Sequence, residues 1–232
     1  MLRHFPYATL GHAHHGWLDA RHHFSFASYH NSDRMGFGAL RVINDDKIAA
    51  GMGFAPHAHD NMEIITYVRQ GAISHKDSLG NEGRTAAGDV QVMSAGTGII
   101  HSEYNHEATD TRLYQLWIKP NKRDVAPRWE AQIFPKEPVT HQLNLLVSGM
   151  EEHRDCGAMW MYADAAIYGG RMHAGTHIMQ PLKHRAYILV SEGQCMIHGQ
   201  IMEQGDGAQW ESSNMLDIHA ITDVELLVID VG

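Results

Sequence analysis

Short strand-like segments separated by glycine-containing turns run through most of this sequence, and they narrow its possible folds more than any other feature. We predict strands at residues 39–43, 62–68, 90–93, 99–101, 113–118, 186–190, 195–198 and 225–229. The polar run Asn44-Asp45-Asp46 is predicted to form a turn after the first of them. Residues 1–39 lack helical periodicity, so we expect an extended segment with short strands there. Short strands at regular spacing favour an all-β chain, built as a sandwich or a small barrel.

The second half of the chain repeats the order of features found in the first. The run Tyr67-Val68-Arg69-Gln70-Gly71 resembles Ile188-Leu189-Val190-Ser191-Glu192-Gly193, a strand that ends in a polar residue and glycine. Further along, Gly88-Asp89 resembles Gly205-Asp206 at a similar distance. A repeated order of strands and turns predicts two copies of one β domain.

A cluster of prolines separates the two predicted copies. Four of the seven prolines lie within residues 120–138. Proline interrupts strand ladders and stiffens connecting segments, because its ring fixes φ and it lacks an N–H donor. We therefore predict a domain at residues 1–120, a linker at residues 121–138 and a second domain at residues 139–232.

Composition limits the functional classes that the chain can belong to. Its formal net charge is −9 and it has no Lys/Arg run, so we expect no direct binding to nucleic acid or to a membrane. The two cysteines, Cys156 and Cys195, form no Cys-x-x-Cys pair, which argues against a zinc ribbon or a thioredoxin-like site. The N-terminus lacks the apolar core of a signal peptide. We expect a cytoplasmic monomer with reduced cysteines.

Two short stretches could supply ligands to a metal ion. His57-Ala58-His59 and His101-Ser102-Glu103 each place two donors two residues apart. On a β-strand, residues i and i+2 point to the same face. If the two stretches occupy neighbouring strands, three imidazoles and one carboxylate converge on one site. Such a set suits one divalent ion, either iron(II) or manganese, nickel, cobalt, copper or zinc.

Other polar residues near these stretches have more than one interpretation. Glu63 could be a ligand, an internal polar residue or, as we favour, an acceptor for an imidazole N–H. Asn105 shares the face of His101 and Glu103 if the strand continues. We expect the histidines of the first 39 residues to be surface groups or to lie behind the ligands: His12, His14, His15, His22, His23 and His30.

The second half contains no His-x-His pair. Its histidines are scattered, among them His173, His177, His184 and His219. Counting 13 residues from Gly88 reaches His101, whereas the same count from Gly205 reaches Ile218. We therefore predict a single metal site, located in the N-terminal half.

The spacing around both stretches resembles the two motifs of the cupin superfamily. Gly51 followed by His57, His59 and Glu63 resembles the first motif, and Gly88 followed by Gly98, His101 and Asn105 resembles the second. One branch, the pirin-like bicupins, also resembles this sequence at His15–Asp19, His23–Tyr29, Leu40–Asp46 and Met93–Glu103. The resemblance is dense over residues 11–119 and thin beyond them.

This resemblance implies a fold and a ligand set. The fold would be two tandem cupin-type β-barrel or jelly-roll domains with few short helices, the second without motif residues. Pirin-like proteins are thought to hold their metal with two histidines, a third histidine and a glutamate two residues later. On this chain those residues are His57, His59, His101 and Glu103, and iron(II) is the first expectation for the metal.

The resemblance also implies two roles. One is a quercetin 2,3-dioxygenase, which opens the central ring of a flavonol with dioxygen and releases carbon monoxide, with Glu103 as the general base. The other is a metal-binding regulatory module that acts through a protein partner. A third interpretation is a sugar isomerase or another non-redox cupin. We expect four apolar residues either to line the substrate pocket or to belong to the barrel core: Met52, Phe54, Ile64 and Trp117.

Overall fold

The structure is a computed structural model that describes residues 2–232. Twenty-two strands account for nearly all of its regular structure. The first twelve are β1 (Arg3–Phe5), β2 (Gly11–His14), β3 (Leu18–His22), β4 (Leu40–Ile48), β5 (Gly53–His59), β6 (Glu63–Gln70), β7 (Ala72–Asp77), β8 (Glu82–Ala86), β9 (Val90–Ser94), β10 (Ile99–Tyr104), β11 (Thr111–Ile118) and β12 (Arg128–Gln132).

The remaining ten strands are β13 (Asn144–Ser148), β14 (Met159–Trp160), β15 (Ala165–Met172), β16 (His177–Pro181), β17 (Arg185–Glu192), β18 (Gln194–Ile197), β19 (Gln200–Glu203), β20 (Gly207–Trp210), β21 (Met215–Ala220) and β22 (Val224–Val231). Two short 3-10 helices, Tyr7–Thr9 and Glu151–His153, complete the elements. Among residues 2–232, no helix is long and apolar enough to cross a membrane. The expected all-β class with few short helices is confirmed.

One compact unit, called the N-terminal unit below, comprises residues 11–134 and 159–163. It holds a seven-stranded sheet in the order β12-β9-β6-β11-β4-β3-β2 and a four-stranded sheet in the order β5-β10-β7-β8. Core clusters draw residues from both sheets, such as Val68 and Leu113 from the larger sheet and Ile73 from the smaller. The two sheets therefore enclose one apolar interior, as in a sandwich or barrel.

The other compact unit, the C-terminal unit, comprises residues 2–10, 135–158 and 164–232. One of its sheets contains the order β1-β20-β17-β22-β15-β13, and the other has the order β16-β21-β18-β19. Eight strands of the C-terminal unit each correspond to the N-terminal strand numbered eleven lower. The order β16-β21-β18-β19 thus matches β5-β10-β7-β8, and β20-β17-β22-β15 matches β9-β6-β11-β4. The predicted duplication of one β domain is thus confirmed.

The observed boundaries differ from the expected ones at two places. Residues 3–5 form β1 and pair with β20 of the C-terminal unit, although the sequence places them in the first domain. The expected linker contains β12, which extends the N-terminal sheet by pairing with β9. Prolines 127 and 135 flank β12 on either side, which is where an edge strand tolerates them.

The turn predicted at Asn44-Asp45-Asp46 is wrong, because β4 runs through it to Ile48. Distant partners hold this polar run inside the sheet. Arg69 Nη1 donates to Asp45 Oδ1 at 2.6 Å. His22 Nδ1 lies 2.8 Å from Asn44 Oδ1. These partners outweigh the local preference of Asn and Asp for turns, and they leave Asn44 and Asp46 lining an internal pocket.

Candidate metal centre

The two stretches proposed as ligands lie on adjacent antiparallel strands. In β5 and β10, His57 stands directly opposite His101. A register shift follows between His101 and Glu103, so that Glu103 faces Phe54. A side chain at Gly53 would collide with the backbone carbonyl of Glu103, so glycine permits the close approach of the two strands at this irregularity.

The three predicted imidazoles meet in one place. Ring centroids are separated by 4.5 Å for His57 and His101, 4.9 Å for His57 and His59, and 5.1 Å for His59 and His101. One donor atom from each ring lies within 4.8 Å of the other two. His57 and His59 are half-buried, whereas His101 is buried. The alternation of β5 and the direct pairing with β10 produce this convergence.

Hydrogen bonds leave one particular nitrogen of two rings available. His57 Nδ1 lies 2.8 Å from the carbonyl oxygen of Ala55, which accepts its proton and leaves Nε2 as the free donor atom. His101 Nδ1 lies 3.4 Å from His75 Nδ1. His101 Nε2 is buried and has no hydrogen-bond partner among the described residues. A bound cation would satisfy this otherwise orphaned nitrogen.

Two of the imidazoles, those of His59 and His101, are held in the neutral form that binds metal. Burial, reinforced by the neighbouring His57 and His59, lowers the pKa of His101 to about 3. Burial also lowers the pKa of His59 to about 4, and the nearby His57 adds to this effect. Because a metal ion competes with protons for these nitrogens, a low pKa favours metal binding at neutral pH.

Glu103 is buried in the same interior and is surrounded by amide donors. Gln91 Nε2 donates to Glu103 Oε1 at 2.5 Å, and Gln115 Nε2 donates to Oε2 at 2.8 Å. Trp117 Nε1 in turn donates to Gln115 Oε1 at 3.1 Å, which fixes the orientation of that amide. Burial raises the pKa of Glu103 to about 7, although these hydrogen bonds act in the opposite direction.

One residue that the sequence did not single out, His75, lies behind the ligands. Donor atoms of His75, His101 and Glu103 form a second group within 4.8 Å, so His101 belongs to both groups. His75 Nε2 lies 3.0 Å from Asp77 Oδ2, and its ring stacks on Trp129 at 4.7 Å. Asp77 therefore orients His75, which can accept the Nδ1 proton of His101. The alternation of buried Ile73, His75 and Asp77 along β7 is the signal that could have revealed this chain.

Two residues expected near the ligands have other roles. Glu63 was expected to accept an imidazole N–H, but its Oε2 accepts a hydrogen bond from Ser94 Oγ at 2.7 Å. The expectation is wrong because β5 ends at His59 and Glu63 begins β6 in the other sheet, so strand alternation does not connect them. Asn105 lies beyond β10, where its Nδ2 donates to the carbonyl oxygens of Ile48 and Thr109.

A pocket of about 520 Å³ opens beside the ligands. His57, His59 and Glu103 contribute to its wall. Of the four apolar residues proposed for that wall, Met52, Phe54 and Trp117 line it. Ile64 instead belongs to a core cluster with Met93, Ala95 and Ile99. The N-terminal segment also reaches the pocket, through residues that include His15, Trp17, His22 and Phe26.

A second buried carboxyl group, Asp46, also lines this pocket. It is 2% exposed, and its Oδ1 atom has no hydrogen-bond partner among the described residues. Burial raises its pKa well above the usual range, and the carboxyl groups of Asp45 and Glu103 raise it further. The sequence did not reveal this group, because Asp46 was placed in a turn.

The donors present fit one divalent transition metal. The donor atoms of His57, His59 and His101 form one group, whereas Glu103 groups with His101 and His75 and not with His57 and His59. Imidazole and carboxylate both suit such an ion, and the buried, unpaired Nε2 atom of His101 marks where it would bind. The set contains no thiolate, unlike most closed structural zinc sites. The adjoining pocket gives a small molecule access to the ligand residues.

Comparison with known proteins agrees with the two-domain fold. The family model described as Pirin matches residues 5–118, and that described as Quercetinase C-terminal cupin domain matches residues 145–231. A pirin-like protein of Caulobacter vibrioides is 46% identical, over 99% of this chain and 99% of its own length.

Two relatives from Escherichia coli add an activity name and a metal complex. A protein of strain K12 named quercetin 2,3-dioxygenase is 41% identical, over 95% of this chain and 94% of its own. The bacterial pirin YhhW, whose crystal structure was determined in complex with nickel(II), is 40% identical in sequence to this chain. Its structure superposes with a TM-score of 0.91, and the alignment covers 100% of this chain and 99% of YhhW. Full-length similarity at this level, together with both matching domain models, shows that the chain belongs to the pirin family of two-domain cupins.

Proposed function

We propose that this protein is a metal-dependent dioxygenase of the flavonol type, which opens the central ring of quercetin-like substrates with dioxygen. In this reaction two oxygen atoms enter the substrate and one ring carbon leaves as carbon monoxide. The observation that carries the proposal is the pocket of about 520 Å³ with His57, His59 and Glu103 in its wall. The activity named for the E. coli relative supports it.

The pocket suits a flat aromatic substrate. Its volume lies within the range of about 300–1,000 Å³ that small-molecule sites usually occupy. Phe26 meets Trp117 edge to face at 5.4 Å, and Trp17 meets Phe54 in the same way at 5.2 Å, so aromatic surfaces are available for stacking. Polar groups on the same wall, among them Asn44, offer partners for phenolic hydroxyls.

We assign the metal to His57, His59, His101 and Glu103. A bound divalent cation stabilises an oxyanion and so eases deprotonation of a substrate hydroxyl. Nickel(II) is supported by the complex of the E. coli relative, and iron(II) is the expectation from the family resemblance. The carboxylate and the three neutral rings suit both ions.

Glu103 is the proposed general base. Its carboxylate lines the pocket and would take the proton of the flavonol 3-hydroxyl. The amides of Gln91 and Gln115 hold its two oxygens, so the carboxylate is oriented before substrate enters. Dioxygen then reacts with the electron-rich flavonolate, in a pocket whose apolar walls exclude most water.

The test is aerobic incubation of metal-loaded protein with quercetin, followed by the loss of flavonol absorbance. We expect turnover with the wild type and a loss of at least about 100-fold in His101→Ala and Glu103→Gln, in line with the usual contribution of a general base. His106→Ala is the matched control, because His106 follows β10 but is exposed. Metal content is measured in every variant, so that loss of the ion is distinguished from loss of the base.

Two outcomes would refute the dioxygenase. One is no turnover by the wild type with iron, nickel, manganese, cobalt, copper or zinc. The other is equal turnover in the wild type and both variants. Metal binding without turnover would favour the alternative, a pirin-like regulatory module that acts through protein contacts.

A further inference from the structure

We propose a second metal-binding site on the outer face of the C-terminal unit, formed by His177, Asp217 and His219. It lies on the strand pair β16 and β21, which corresponds to the ligand strands β5 and β10 of the N-terminal unit. The proposed ligand is a copper or other late first-row transition-metal ion. The site does not depend on the dioxygenase activity proposed above.

Strand register brings the three side chains together. His177 pairs directly with His219, and Asp217 precedes His219 by two residues on β21. The intervening positions Ile178 and Ile218 are buried and also pair with each other. Because successive side chains alternate between faces, the histidines and the aspartate project outward.

The donor atoms are already close to one another. His177 Nε2 lies 2.8 Å from Asp217 Oδ1, and His219 Nε2 lies 3.4 Å from the same oxygen. The two imidazole rings stack with centroids 3.8 Å apart and planes 13° apart, so both present Nε2 on the side of Asp217. All three donor atoms lie within 4.8 Å of one another.

Rotation of the two imidazole rings out of their parallel stacking would complete the coordination. Metal–nitrogen bonds of about 2.0–2.1 Å at tetrahedral angles place ligand atoms about 3.4 Å apart. The three side chains are between 37% and 47% exposed, so solvent-facing space is available for such a rotation. A single cation would replace the contacts that His177 and His219 make with Asp217, and it would keep the same three groups together.

Two methionines on the same face favour copper over harder ions. Met196 of β18 pairs with His219 on the other side from His177, and Met179 of β16 pairs with Asp217. Met179 is 44% exposed. Thioether sulfur is a soft donor that favours copper(I), whereas the imidazole and carboxylate donors bind copper(II) most tightly among the late divalent ions.

The test measures bound copper after equilibrium dialysis against micromolar copper(II). We expect His177→Ala and His219→Ala each to bind one ion fewer per chain than the wild type. His173→Ala is the matched control: His173 is also exposed and its Nδ1 lies 3.4 Å from Asp223 Oδ1, but within residues 2–232 no second imidazole joins that pair. It should bind as many ions as the wild type, and circular dichroism checks that every variant is folded.

A variant that lacks two of the interior histidines distinguishes copper at this site from copper at the interior site. In the His57→Ala/His101→Ala double variant, we expect one bound copper ion whose electron paramagnetic resonance spectrum shows two coordinating nitrogens. Adding His219→Ala to that background should remove both the ion and the signal. Unchanged copper content in His177→Ala and His219→Ala, or occupancy that begins only at millimolar copper, would overturn the proposal.

Discussion

The buried carboxyl group of Asp46 makes the stability of this protein depend on pH. It lies within β4 with an unpaired oxygen, and its pKa is raised well above the usual range by burial and then by neighbouring carboxyl groups. The folded protein therefore retains a proton that the unfolded chain releases above about pH 4. Stability from this group is complete below that pH and declines as the pH rises toward the folded-state pKa.

Replacing Asp46 by Asn should therefore stabilise the metal-free protein increasingly as the pH rises. Asn holds no titrating proton, so the gain in unfolding free energy should grow by up to about 1.4 kcal/mol per pH unit between pH 5 and the folded-state pKa. Urea unfolding at several pH values measures this. Asp33→Asn, at an exposed position, is the control for removing one carboxyl group. A difference between Asp46→Asn and wild type that stays constant from pH 5 to 8 would contradict the account.

At the scale of elements, β7 supports the ligand strand β10 from behind. His75 of β7 lies opposite Glu103, and its Nδ1 approaches that of His101. Asp77 at the end of the same strand orients His75, while Trp129 of β12 stacks on the ring with planes only 6° apart. The orientation of His101 thus depends on three strands and not on β10 alone.

Replacing His75 by Phe should weaken nickel binding by about 10- to 100-fold, because the acceptor for His101 Nδ1 is lost. Phe retains a flat ring against Trp129, so the packing is largely preserved. Isothermal titration of the metal-free protein measures the affinity. Trp129→Phe changes the stacking partner without removing the acceptor, and its affinity should stay close to the wild-type value. Equal affinity in His75→Phe and wild type would show that His75 has no such role.

The elements also show how far the sequence can be interpreted. The period of two predicted that His57 and His59 share one face, and the resemblance of the surrounding glycines to the cupin motifs implied that His101 lies on a neighbouring strand. The turn predicted at Asn44-Asp45-Asp46 was wrong, because a polar run has the local preferences of a turn and its hydrogen-bond partners are distant in sequence. The outward pair of His177 and His219 was equally hidden, since their approach depends on register between strands separated by about 40 residues.

At the scale of the whole molecule, the two units share one fold but differ in the side chains that fill their interiors. The ligand strands β5 and β10 carry inward histidines, whereas β16 and β21 carry inward Ile178 and Ile218 within a large apolar cluster. The cluster of the C-terminal unit that contains these two isoleucines is apolar. The N-terminal unit contains uncharged histidines and carboxyl groups in its interior, which a metal ion would help to satisfy.

Metal binding should therefore stabilise the two units unequally. Nickel at 100 times its dissociation constant contributes about 2.7 kcal/mol to the state that binds it. We expect slower amide hydrogen exchange in β5 and β10, and unchanged exchange in β17 and β22. Mass spectrometry of exchanged peptides measures both, and a chelator should reverse the protection. Protection of β17 and β22 equal to that of β5 and β10 would contradict this assignment.

The most direct test of the central claim is the stoichiometry of gas exchange during quercetin turnover. A flavonol dioxygenase consumes one dioxygen and releases one carbon monoxide for each quercetin lost. We therefore expect a ratio of one to one to one with the metal-loaded wild type, and no carbon monoxide with Glu103→Gln. Quercetin loss without carbon monoxide, or at the same rate without protein, would contradict the account.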